Sequence, residues 1–140
     1  MKKITLTCIV LFAFYLNSLA QYNNGVLIEP VLKTDTTSIG QKIIFPYSQK
    51  EEVSISKITI PSGASTGWHK HDYPVFAYVL KGTLCVQLEN GEIKQFPENS
   101  CFAEVVDTFH NGFNNGKENV VLIGIYLGEK GKPLSVKKEL

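Results

Sequence analysis

Short runs of β-branched and aromatic residues, separated by turn-forming residues, recur through the chain from position 41 onward. They occupy residues 41–45, 53–60, 75–80, 83–89, 92–96, 101–106 and 120–127. Branched and ring side chains sit easily on an extended backbone and crowd the preceding turn of a helix. No segment sustains a helical period over three turns. Many short strands at this spacing predict an all-β fold, a sandwich or a closed barrel of antiparallel strands. Asn90-Gly91 predicts a two-residue type I′ hairpin, in which both central residues take positive φ. Within 53–60 the alternation changes phase: Val53 and Ile55 fall on one side, Ile58 and Ile60 on the other, which predicts a bulge near Lys57.

A chain of 140 residues has room for one domain, and 44% hydrophobic with 19% charged residues excludes a disordered chain. All 14 basic residues are lysines, and 13 acids nearly balance them. The basic surplus of a nucleic-acid-binding surface is therefore missing, and no nucleic acid is expected as a partner. Three cysteines without a CxxC pair, and three histidines, exclude a zinc finger and a disulfide-dense scaffold. Any chemistry has to come from few residues.

The first twenty residues read as a targeting segment. Lys2 and Lys3 precede an almost unbroken apolar run over 4–16, and Ser18 and Ala20 put small residues at the −3 and −1 positions of a cut before Gln21. The run is about 13 residues long, short of the roughly 20 that a spanning helix needs. The expected organisation is a signal peptide over 1–20, an irregular N-terminal arm over 21–40, a β-barrel over 41–128 and an irregular C-terminal tail over 129–140. Cleavage following Ala20 makes the protein exported, periplasmic or secreted, with no membrane association afterwards. It also leaves Cys85 and Cys101, which in an oxidising compartment either pair, closing a loop worth about 3 kcal/mol, or stay as buried free thiols.

The chemically informative stretch is GASTGWHKHDYPVFAYVLKG, residues 63–82. His69 and His71 are one residue apart, so in an extended strand both imidazoles project from one face and can chelate one ion. The third histidine, His110, follows a later strand, with Asn114 four positions on. Three imidazoles available to one site are what a divalent transition-metal centre requires.

The spacing resembles the first cupin motif, G(X)5HXH(X)3–4E(X)6G, through Gly63, His69, His71, Val75 and Gly82, with Val75 where the family has glutamate. The second motif, G(X)5PXG(X)2H(X)3N, is matched by Asn99, Val105, Asp107, His110 and Asn114, with both glycines and the proline replaced. Asn and Asp tolerate the left-handed backbone region best among non-glycine residues, so Asn99 and Asp107 are expected to make the turns glycine makes in the family. With the phrases FAYVLKGTL, LENGE and YLGEKGKPL, the resemblance to small secreted single-domain cupins covers roughly residues 40–135.

That resemblance implies a jelly-roll barrel with a metal in its mouth, held by His69, His71 and His110. Val75 cannot ligate, and the nearest carboxylates in sequence are Asp72, which as a strand neighbour of His71 points to the opposite face, and Glu104, on the strand leading to His110. Three-histidine cupins bind ferrous iron and direct dioxygen at thiols, diketones or aromatic acids, so the implied cofactor is Fe(II), with Zn, Mn, Ni or Cu also acceptable to three imidazoles. Three neutral ligands leave the ion its full charge, which favours a small anionic substrate, and the absence of arginine rules out a bidentate carboxylate clamp. Tyr78, Tyr126 and Phe76 are candidate pocket residues, and Asn114 a candidate hydrogen-bond partner that orients an imidazole. The functional expectation is an exported, dioxygenase-like metalloenzyme; the alternative is a non-catalytic metal- or ligand-binding module for sensing or scavenging. The resemblance also implies a homodimer.

Overall fold

Alternating inward and outward side chains define the strands of the computed structural model, which describes residues 29–47 and 49–139. The expected signal peptide and residues 21–28 of the arm lie outside the described residues. In chain order the strands are β1 (Glu51–Ile60), β2 (His69–Lys70), β3 (Val75–Lys81), β4 (Thr83–Leu88), β5 (Ile93–Pro97), β6 (Cys101–Ala103), β7 (His110–Phe113), β8 (Val120–Glu129) and β9 (Val136–Lys137). No helix occurs among the described residues. Two antiparallel sheets form, one ordered β1-β8-β3-β6 and the other β5-β4-β7-β2-β9. The core lies between them: Ile60, Ala77, Val79, Phe102, Val120 and Leu122 from the first meet Leu84 and Val86 from the second. Phe96 stacks on Phe102 with ring centroids 3.5 Å apart. Each such branched or aromatic side chain contributes about 1.5–3 kcal/mol on burial. This is the expected all-β jelly-roll architecture.

Several local expectations are corrected. The β1–β8 ladder runs without a shift from Glu51↔Glu129 to Ile60↔Val120, so there is no bulge at Lys57. Val53 and Ile55 instead lie on the outer face, 61% and 67% exposed, while Ile58 and Ile60 face inward. The phase change thus marks apolar residues on both faces of one regular strand. The register shift falls in β3, between Val79 and Lys81. At the hairpin, Gly91 takes φ 86° and Asn90 is not left-handed. The Gly91 N–H donates to the Leu88 carbonyl (3.0 Å) and the Leu88 N–H to the Glu92 carbonyl (2.8 Å), a three-residue loop rather than a type I′ turn. The Asn90 side chain accepts the Glu92 N–H at 2.9 Å, which holds that geometry.

Residues 41–45 are not a strand. The backbone there folds locally on 35–37, through Thr37 N–H to Gln41 O and Ile43 N–H to Asp35 O, both 2.8 Å, and leaves Ile44 and Phe45 exposed. The strand expected over 101–106 ends at Ala103. The tail over 129–140 is not wholly irregular, since β9 pairs with β2 through His69↔Lys137 and Lys70↔Val136. Asn99 and Asp107 do adopt positive φ, 66° and 49°, alongside Gly63 and Gly82 at 75° and 80°. At Gly82 a Cβ would also stand 3.1 Å from the Val120 side chain and 3.2 Å from the Asn119 carbonyl, so turn and packing both select glycine. Cys85 and Cys101 are free thiols.

Candidate metal centre

Strands β2 and β7 are neighbours, and the ladder sets His69 directly opposite His110. His71 follows one residue after β2, and the three rings gather with centroids 4.5, 5.0 and 5.2 Å apart. One ligand atom from each imidazole lies within 4.8 Å of the others. The structure therefore brings together all three histidines singled out by spacing.

Each ring is oriented by a main-chain carbonyl. His69 Nδ1 meets Gly67 O at 2.8 Å, His71 Nδ1 meets Leu134 O at 2.8 Å, and His110 Nδ1 meets Thr108 O at 2.9 Å. A carbonyl only accepts, so each Nδ1 carries the proton and donates it, and each Nε2 presents a lone pair. Burial holds His71 and His110 down to about 4, opposed by their carbonyl bonds and reinforced by neighbouring imidazoles, so both are in the neutral, ligating form at pH 7. His110 Nε2 is buried with no hydrogen-bond partner. A buried acceptor left without a donor costs about 1–3 kcal/mol, and a divalent transition ion satisfies it. These three residues fit a metal.

The His69 and His71 imidazoles open on a cavity of about 70 Å³ whose apolar walls include Ile58, Val75, Ala77, Leu84 and Leu122, and whose other polar members include Thr66, Glu104 and Tyr126. Val75, 3% exposed, stands on the inner face of β3 at the position where the resemblance calls for glutamate. Glu104 lies beside it: its N–H donates to the Val75 carbonyl (2.8 Å) one step past the Phe76↔Ala103 pair. Its Oε2 is 3.7 Å from His110 Nε2, and burial pushes the carboxyl up to about 7. Asp72 turns outward to Lys70 at 3.4 Å.

Of the candidate pocket residues, only Tyr126 is there. Its ring meets His71 edge-on at 5.7 Å, and burial together with the Glu104 charge raises its phenol. Gly124 makes room for it, since a Cβ would stand 3.1 Å from the ring. Phe76 and Tyr78 do not line the cavity, because β3 alternates and its inward positions are Val75, Ala77 and Val79. The Tyr78 hydroxyl donates to Asn99 Oδ1 at 3.3 Å on the outside.

Asn114 orients no imidazole. Its Nδ2 donates to Ile60 O (2.9 Å) and Glu118 O (2.7 Å), and its Oδ1 accepts the Gly116 N–H, which ties the end of β1 to the β7–β8 turn. The orienting groups are carbonyls of Gly67, Thr108 and Leu134, and a carbonyl carries no residue-type signature that sequence reading can detect. At the rim, the Lys138 ammonium lies 5.7 Å from the Trp68 ring and 5.6 Å from that of Phe109. This anchors the tail that delivers Leu134.

Comparison with known proteins agrees with this fold. A family model described as the cupin domain matches residues 56–126. No curated protein matches the chain. Among solved structures, a protein of Bacillus halodurans aligns at 20% identity with TM-score 0.51, covering 60% of this chain and 67% of that one. The polyketide cyclase RemF of Streptomyces resistomycificus aligns at 15% identity with TM-score 0.54, covering 63% and 61%. The lyase DddQ of Ruegeria pomeroyi, whose substrate is DMSP, aligns at 12% with TM-score 0.54, covering 65% of this chain; the chain spans 44% of that lyase. Likeness at these identities concerns the fold.

Proposed function

The chain belongs to the cupin family, and from that premise we propose that it is a metal-dependent oxidoreductase of the dioxygenase-like kind, acting on a small anionic molecule at His69, His71 and His110. The observation that carries this reading is the convergence of three Nε2 lone pairs, one of them buried and unpartnered, beside a largely apolar cavity that His69 and His71 line. A ferrous ion held there supplies electron transfer with dioxygen and a positive charge for an anionic group; Zn, Mn, Ni and Cu satisfy the same imidazoles. The chain's own contribution is positional. Apolar walls exclude water and strengthen every charge interaction inside. Tyr126, its phenol raised, is a neutral hydrogen-bond donor toward the cavity at pH 7. Glu104 places a carboxyl in the same cavity, 3.7 Å from His110 Nε2. No lysine or arginine lines the cavity, so an anionic substrate depends on the ion for its counter-charge.

A second reading, a module that binds a metal or small ligand without turnover, is favoured by the small size of the cavity, about 70 Å³. The proposal also includes export, supported by the pattern over 1–20, and a homodimer, supported by exposed Val53 and Ile55 on the outer face of edge strand β1.

Elemental analysis of protein beginning at Gln21, reconstituted anaerobically with ferrous iron, tests the reading. About one equivalent of metal is expected, with loss in a His69→Ala, His71→Ala variant. Substrate-dependent oxygen uptake then separates enzyme from binding module. Absence of metal, or equal metal in the double variant, rejects the site.

A further inference from the structure

Glu104 is the acid lining the cavity, and among the described residues its carboxylate makes no hydrogen bond; its polar neighbour is His110 Nε2 at 3.7 Å. A carboxylate removed from water needs a cation or donors to balance it, and no lysine lines the cavity. The backbone shows why it points there. Glu104 follows β6, directly across from Val75 of β3, and opposed residues of an antiparallel pair project from the same face. Val75 faces the cavity, so Glu104 faces it too. Two ligand atoms about 2.1 Å from one ion are about 3 Å apart at a right angle and about 4.2 Å apart across it, and 3.7 Å lies between these limits. Glu104 is outside the tighter set that the three histidines form, and rotation about its side-chain bonds is what closing on the ion requires.

We infer that Glu104 is the fourth ligand: a carboxylate delivered from the residue just after β6, beside Val75, in place of one on Val75 itself. This rests on the reading that the histidines hold a metal. The ion keeps a net charge of about one, still attractive to an anion, and a hard oxygen joins three nitrogens, which favours Mn(II) and Fe(II) relative to softer ions. The carboxylate has changed strand while the space it fills is the same.

The test transposes the carboxylate. Mn(II) and Co(II) affinities are measured by chelator competition for the wild type, Glu104→Gln, and Glu104→Gln combined with Val75→Glu, with thermal unfolding of the metal-free proteins as a folding control. Glu104→Gln is expected to weaken Mn(II) binding at least about tenfold and to change the visible spectrum of the Co(II) protein. The double variant is expected to recover most of that loss, because its carboxylate enters the same cavity from the adjacent strand. Glu104→Gln binding within about twofold of wild type, with an unchanged Co(II) spectrum, overturns the inference. So does a folded double variant that binds no better than Glu104→Gln. Wild type that binds no metal overturns the proposed function itself, an outcome distinct from both.

Discussion

Acidification of the metal-free protein exposes the energetic design of the centre. His71 and His110 are held at about 4 in the folded chain against 6.5 when free. About 2.5 pH units at 1.36 kcal/mol each corresponds to about 3 kcal/mol per histidine. Above pH 6.5 both states are neutral and nothing is lost. Between 6.5 and 4 the unfolded chain takes up protons that the folded chain refuses, so stability falls as pH falls. Glu104 acts in the opposite sense: its folded value near 7 against 4.5 means the folded chain holds a proton the unfolded chain lacks, which stabilises as pH falls from 7 to 4.5. Two histidine terms against one carboxyl term leave a net loss of about 3 kcal/mol between pH 7 and 4. Removing the opposing term in Glu104→Gln roughly doubles that loss, and a His71→Gln, His110→Gln variant reverses its sign over the window. The assay is urea unfolding of chelator-treated protein at pH 7, 5.5 and 4.5. A midpoint that stays constant or rises on acidification in the wild type refutes the assignment of buried neutral imidazoles, and an acid response unaltered by Glu104→Gln refutes the raised Glu104 carboxyl.

Three further outcomes follow from the same geometry. His110→Ala is expected to lower metal affinity at least about tenfold while the metal-free fold survives, because the apolar cluster from Ile60 to Leu122 holds the two sheets together without His110; calorimetric titration and circular dichroism check both halves. Truncation after Lys132 removes β9 and the Leu134 carbonyl, so His71 loses the acceptor that holds its tautomer, and metal affinity should fall about 10-fold or more; equal affinity in the truncated chain contradicts that role. Asn99 at φ 66° predicts that Asn99→Ala costs about 1 kcal/mol and that Asn99→Gly is neutral or stabilising in urea unfolding.

The three clustered histidines, the left-handed Asn99 and Asp107, and the all-β class were legible because each depends on local spacing or on one residue's backbone preference. An HxH pair one residue apart shares a face wherever the chain is extended, and Asn or Asp at a turn has the same conformational freedom in any context. Readings that needed the partner strand went astray. The face of β3 that carries Phe76 and Tyr78, the expected bulge at Lys57 and the supposed strand at 41–45 were each decided by pairing and burial, which composition alone does not reveal. Asn114 was legible as a polar residue near His110, and its distant partner was not, because the end of β1 reaches it only in the folded sheet.

By itself, then, the sequence determined the class of fold and three candidate donors, since strand periodicity, turn chemistry and ligand type are properties of neighbouring residues. Tertiary structure decided the environment in which those side chains stand. The Leu134 carbonyl crosses from the tail to His71, and the Glu104 carboxylate crosses from the residue just after β6, beside Val75, to His110. Burial between the sheets keeps His71 and His110 neutral. Each of these is a through-space effect of low dielectric and cross-strand contact, acting between residues as far apart along the chain as His71 and Leu134.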